Sequence, residues 1–195
     1  LGSMKDAELL HKMERPLDHG SECFERAHAW SRDLQTLASI QSMKVFMFFT
    51  KQFRQRYFKK VLFWERPYKW WFHVAPFVYV RTQEVVLDSE FSSKPQLMND
   101  WTFDFIGKVR HDNKKVRNPT YAEALCKDSV DYNDYANNAA PGRNCVLRKV
   151  PMYYFQPLDV QALDCKPTAT NKCFHGRLTE WRERDLKQAI KNTAP

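Results

Sequence analysis

A cysteine at the head of a helix, a histidine on a strand and an aspartate on the strand after it supply a nucleophile, a general base and an orienting acid. In this chain they are Cys23, His73 and Asp88. A thiolate at Cys23 attacks a carbonyl carbon. His73 takes the thiol proton and later returns it to the leaving nitrogen. Asp88 bonds the far ring nitrogen, fixes the tautomer and steadies the imidazolium. The backbone N–H of Cys23 is a natural oxyanion donor. The product is an acyl-thioester, which an activated water hydrolyses. A chain of this length offers several Cys/His/Asp choices, so position must decide. His28 is the main rival, but it lies about 140° round the helix from Cys23 and reads as a structural histidine. His11, His19, His111 and His175 have no comparable setting.

The cysteine must be held by the stretch Gly20-Ser21-Glu22-Cys23-Phe24-Glu25-Arg26-Ala27-His28-Ala29-Trp30. Cys23, Ala27, Trp30, Leu34 and Leu37 follow a 4-3-4-3 spacing that lines one face of a helix running to about Ser42. Unpaired N–H groups and the positive dipole end favour a thiolate in its first turn. The plainer alternative is a small buried cysteine beginning a packed helix. Ahead of it, residues 5–16 read as a short amphipathic helix with Leu9, Leu10 and Met13 on one side, broken by Pro16 and Gly20.

The histidine and the acid need strands. Lys44 to Phe53, Val61 to Trp64, Tyr68 to Val80, Glu84 to Phe91, Trp101 to Ile106 and Val146 to Phe155 read as strands. A loop at Tyr79 to Thr82 sets His73 opposite Asp88, within about 4.5–5.5 Å between Cβ atoms. A loop at 81–84 sets Asp88 opposite Phe77 instead. Pro76 requires an edge, a bulge or an outward-facing nitrogen. Residues 107–145 are polar, 158–172 read as a loop carrying Cys165 with Cys173 just after it, and Leu178 to Lys191 as a terminal helix with Trp181, Leu186 and Ile190 as its apolar residues.

The composition is that of a globular chain: 195 residues, 43% hydrophobic and 14% aromatic. Leu1-Gly2-Ser3 reads as a cloning remnant, leaving residues 4–195 as a single catalytic domain. The net charge of +8 permits nucleic-acid, anionic-surface or acidic-protein partners, yet both charge signs are interleaved along most of the chain. Lys51, Arg54, Arg56, Lys59 and Lys60, mixed with Phe53, Tyr57 and Phe58, could bind nucleic acid. They read first as a hairpin with one wet face. No apolar run suits a membrane span, and no secretory leader is visible. With Cys23 set aside, Cys126, Cys145, Cys165 and Cys173 allow three pairings and suggest an oxidising compartment. No tight Cys/His cluster calls for zinc or another metal, and no cofactor is expected.

Cys23-Phe24-Glu25-Arg26-Ala27-His28 resembles the C-[YF]-x-R-A-H segment of bacterial protein glutaminases, the protein-glutamine deamidases. Phe72-His73-Val74-Ala75 resembles their histidine strand. Val86-Leu87-Asp88-Ser89-Glu90-Phe91, then Lys94-Pro95 and Trp101, resembles their aspartate segment. Tyr135-Ala136-Asn137-Asn138 and Asn144-Cys145-Val146-Leu147 resemble two later ones, so the likeness spans roughly residues 20–150 in one order. The resemblance implies an α+β, papain/transglutaminase-like core, with the nucleophile helix packed on an antiparallel sheet and Cys23, His73 and Asp88 as the triad. It implies hydrolysis of glutamine side-chain amides in proteins or peptides, giving glutamate and ammonia, by a secreted or exported enzyme. A monomer is the default.

Departures from the family pattern bear on substrate choice rather than on catalysis. Ser89 stands where the family usually has proline, the His73–Asp88 hairpin is shorter, and Lys51–Trp71 is more basic and aromatic. The family's enzymes are made with a pro-region that blocks the site, and this chain has no obvious room for one. The basic stretch would select acidic protein targets. Two other outcomes share the triad, a transglutaminase and a cysteine peptidase. A third reading, a non-catalytic basic binding module, needs no triad.

Overall fold

The computed structural model describes residues 1–14, 22–50, 53, 72–111, 126–129 and 144–164. The run Met43–Phe49 is almost wholly apolar, which suits a strand buried on both faces. It forms β1, near the middle of a six-stranded sheet. The others are β2 (Phe72–Val80), β3 (Gln83–Val86), β4 (Gln96–Leu97), β5 (Lys127–Ser129) and β6 (Cys145–Pro151). Their order is β4-β3-β2-β1-β6-β5. Every neighbouring pair is antiparallel except β5 and β6, which run parallel. The fold is therefore α+β, but its sheet is mixed where an antiparallel one was expected.

Among the described residues the sheet is flanked by helices α1 (Met4–His11), α2 (Cys23–Ala38), α3 (Met98–His111) and α4 (Pro157–Asp164). Ser3 caps α1, accepting from the Asp6 N–H while the Asp6 carboxylate accepts from the Ser3 N–H. The Leu1 ammonium also donates to the Tyr79 carbonyl at 2.9 Å. The leading residues set apart in the sequence are thus tied into the fold. Helix α2 ends at Ser39, which takes a left-handed φ of 55°.

Alternation along the strands sends side chains to two cores. On one face Phe46, Phe48 and Val74 pack with Cys23 and Ala27, while Val78 and Val80 pack with Trp30, Leu34 and Leu10. On the other face Val45, Met47, Ala75 and Phe77 meet Trp101, Phe105 and Ile106 of α3. The Trp30 indole N–H donates to the Leu10 carbonyl at 3.3 Å and joins α1 to α2. Leu37, expected on the buried face of α2, is 65% exposed, one residue before the helix ends.

Three expectations are corrected. Trp101–Ile106 is helix, not strand, and its buried residues Met98, Trp101, Thr102, Phe105 and Ile106 keep helical spacing. The supposed loop from 158 begins as helix α4, with a proline in its first position and Asp159 accepting from the Phe155 and Gln156 N–H groups. The β2–β3 register is neither of the two weighed. Val80 pairs with Gln83 and Phe77 with Val86, so Arg81 and Thr82 form the turn, Arg81 with a φ of 55°. Pro76 fits this register. Its carbonyl accepts from Leu87 N–H at 2.9 Å, just beyond the end of β3, so the N–H it lacks falls where the ladder stops.

Cys126 and Cys145 form a disulfide, selecting one of the pairings left open, while Cys165 and Cys173 lie outside the described residues. So do the expected strand at 61–64, the terminal helix at 178–191 and all of the basic, aromatic stretch except Phe53, which is buried in the core. Among the described residues no helix is long and apolar enough to cross a membrane.

Candidate active site

Strand β2 is nine residues long, but β3 pairs only with its Phe77–Val80 half. The Phe72–Ala75 half is left without a β3 partner, and a cleft opens along that edge. Cys23, Ala27 and Trp30 of α2 border it, with His73 to Pro76 of β2 and Leu87, Asp88 and Glu90 after β3.

Each site residue is placed by a local device. Cys23 is the first residue of α2 and is buried. The turn before it is fixed by the Glu22 N–H, which donates to Glu25 Oε2 at 2.9 Å. Among the described residues Cys23 is the cysteine outside a disulfide. His73 is buried on β2 and sits opposite Met47 of β1. Its ring is wedged against Phe105 and Phe91, with centroids 4.8 and 5.0 Å away. Asp88 follows β3 in a turn closed by the Ser92 N–H donating to the Asp88 carbonyl.

His73 Nε2 lies 2.9 Å from Asp88 Oδ2. The contact is made not by cross-strand pairing, as one expected register had it, but by the chain turning back after β3. With Nε2 engaged by the acid, Nδ1 is the ring nitrogen left for the thiol. Cys23 lies close enough to His73 to help raise its pKa. Trp101 was noted in the sequence only as part of a segment. Its indole Nε1–H donates to the same Asp88 oxygen at 2.7 Å.

The electrostatics follow from burial in company. Burial alone would hold His73 neutral, but the Asp88 charge, its hydrogen bond and Cys23 outweigh it and raise the imidazole's pKa. Burial would likewise raise the Asp88 carboxyl. The His73 charge, the hydrogen bonds from His73 and Trp101, and the nearby Arg26 guanidinium reverse that and lower it. Both shifts favour imidazolium and carboxylate at this pair beside Cys23. Arg26 also forms an ion pair with Glu90.

The rival histidine is elsewhere. His28 Nδ1 lies 2.6 Å from the ammonium of buried Lys44, which also donates to the Tyr154 carbonyl at 2.8 Å. His11, which had no assigned role, is buried against Trp30 beside the Asp88–Ser92 turn. Glu14 escaped the sequence reading altogether. It follows α1 and lines the cleft, and the nearby Ser89 N–H favours its charged form. The departure at Ser89 has this consequence: a proline there could offer no N–H.

A family model described as glutaminase matches residues 6–105, about half of the chain, and spans Cys23, His73, Asp88 and Trp101. No curated protein and no solved structure matches the chain.

Proposed function

The chain belongs to the glutaminase family, and from that premise we propose that it deamidates glutamine side chains of proteins or peptides through an acyl-thioester on Cys23. The observation that carries this reading is a single cleft bordered by a free cysteine at a helix head and by a histidine bonded to a buried aspartate.

The cycle begins with Cys23 Sγ as thiolate and His73 as imidazolium. The sulfur attacks the δ-carbon of a glutamine side chain. The Cys23 backbone N–H faces the developing oxyanion, since the first N–H groups of a helix have no intrahelical partner. His73 gives its Nδ1 proton to the amide nitrogen, the C–N bond breaks and ammonia leaves. Water then gives a proton to His73 as it attacks the thioester. The C–S bond breaks, yielding a glutamate side chain and the starting thiolate–imidazolium pair. Asp88 holds Nε2 throughout and keeps the ring aimed. A papain-like core fits these roles, with the nucleophile on a helix and the base on a strand. Cys126–Cys145 is in keeping with secretion or export.

The test is ammonia release from casein together with intact-mass analysis, comparing the wild-type chain with Cys23→Ala. Release with gains of about one mass unit per event, absent in the variant, is the expected result. Shortened chains would mean a peptidase, and incorporation of an added amine a transglutaminase. Salt-sensitive binding with no turnover and no effect of Cys23→Ala would favour the basic binding module.

A further inference from the structure

The cleft that holds Cys23 also has acidic side chains in its wall. Glu14 Oε2 is buried and has no hydrogen-bond partner. Glu14 shares the cleft with Cys23, Arg26, His73, Asp88 and Glu90. A buried acceptor without a donor is costly, and in a binding cleft the missing donor is naturally supplied by the ligand. Arg26 does not fill the role at Oε2, and its guanidinium is paired with Glu90. The nearby Ser89 N–H favours the charged carboxyl, while Oε2 itself has no partner.

We propose that Glu14 Oε2 accepts an N–H of the substrate's side-chain amide and makes the cleft select glutamine over its own product, glutamate. The inference rests on the deamidase reading. A primary amide entering the cleft presents carbon to Cys23 and oxygen to the helix N–H groups. Its NH₂ then needs an acceptor. The product side chain has no N–H to give and carries a negative charge, which the acidic wall repels. One side chain thereby orients the amide and speeds product departure.

Among the described residues, the charged and titratable groups that share the cleft with Glu14 are Cys23 and Arg26 on α2, His73 on β2, and Asp88 and Glu90 after β3, with His11 of α1 close to Asp88. Burial, followed by the Asp88 and Glu90 charges, raises the Glu14 carboxyl to about 7, against the pull of Arg26 and the Ser89 N–H. Selection is therefore strongest above neutral pH, where Glu14 is ionised. In acid the protonated carboxyl can donate to a product carboxylate instead.

The test uses the full chain carrying Cys23→Ala, so that ligands bind without turnover, with and without Glu14→Gln. The ligands are capped Gln-Gly and Glu-Gly dipeptides, titrated by calorimetry at pH 6 and pH 8. With Glu14 present, preference for the glutamine peptide at pH 8 should be on the order of tenfold or more, shrinking at pH 6. With Glu14→Gln it should fall below about twofold and lose its pH dependence. Circular dichroism of each variant checks that the chain is folded. A preference unchanged by Glu14→Gln, equal binding of both peptides, or binding of neither overturns the assignment. Ammonia release from the glutamine peptide by the wild-type chain tests the deamidase reading separately. Release with an unaltered preference sinks the Glu14 role alone.

Discussion

Trp101 Nε1 lies 2.7 Å from Asp88 Oδ2, the same oxygen that His73 Nε2 reaches at 2.9 Å. The indole is buried on α3, so it fixes the carboxylate that holds the His73 ring. A hydrogen bond to a charged group contributes about 1.5–3 kcal/mol. Trp101→Phe keeps most of the packing and removes the donor. Ammonia release should fall by about tenfold or more, and the acid limb of its pH profile should move up, because Asp88 loses one of the groups that lower its pKa. A variant with an unmoved acid limb would show that the indole merely fills space.

The His73–Asp88 pair should also govern stability against pH. Asp88 is lowered from 3.8, so its contribution is present above that value and lost as pH falls through the folded pKa. His73 is raised from 6.5, so its contribution is complete below that value and lost as pH rises through the folded pKa. Glu14 works in the opposite sense: raised from 4.5 to about 7, it costs stability as pH climbs between the two. The melting temperature of wild type should exceed that of Asp88→Asn by most between pH 3.8 and 6.5, and Glu14→Gln should gain on wild type above pH 7. Thermal melts from pH 3 to 9 would show both trends, and a gap independent of pH would contradict the first. Asp88→Asn should lower activity by on the order of 10³–10⁴-fold, since an amide favours the wrong imidazole tautomer.

The helix that begins at Cys23 was legible because one periodicity, Cys23, Ala27, Trp30 and Leu34, has one structural solution, and all four are buried. The meeting of His73 with Asp88 was legible as a pair of residue types but not as a geometry. The register depends on a left-handed residue at Arg81, which no glycine or asparagine announces. Trp101, Phe103 and Phe105 alternate as a strand would, which hid a helix whose buried set also includes Met98, Thr102 and Ile106. Glu14 could not be found at all. A glutamate after a short amphipathic helix looks solvated until the turn after β3 is brought against it.

His28 and His73 should separate cleanly by experiment. His28 meets Lys44, which is wholly buried and donates to the Tyr154 carbonyl. His28→Ala leaves that ammonium with a lost neighbour in a dry setting and should cost about 1–3 kcal/mol of stability. It should leave the pH dependence of Cys23 alkylation by iodoacetamide unchanged. His73→Ala should do the reverse to reactivity, since it removes the cation beside the thiol. If His28→Ala altered the alkylation profile as much as His73→Ala, the choice of base would be wrong.

The sheet's far edge rests on a covalent link. Strand β5 has three residues and meets β6 through three pairs, Lys127 with Val146, Asp128 with Leu147 and Ser129 with Arg148. So short a parallel edge strand is weak on its own. The Cys126–Cys145 bond closes a sequence separation of 19 residues at the head of that pairing. A loop of this size contributes about 3 kcal/mol by limiting the unfolded chain. Cys126→Ser should lower stability by about that amount in a denaturant titration, and adding a reductant should then shift the variant less than it shifts wild type. Activity at low temperature should survive, because β5 lies at the opposite end of the sheet order from β3 and the cleft beside it. An equal shift by reductant in both proteins would mean that the stabilising disulfide is a different one.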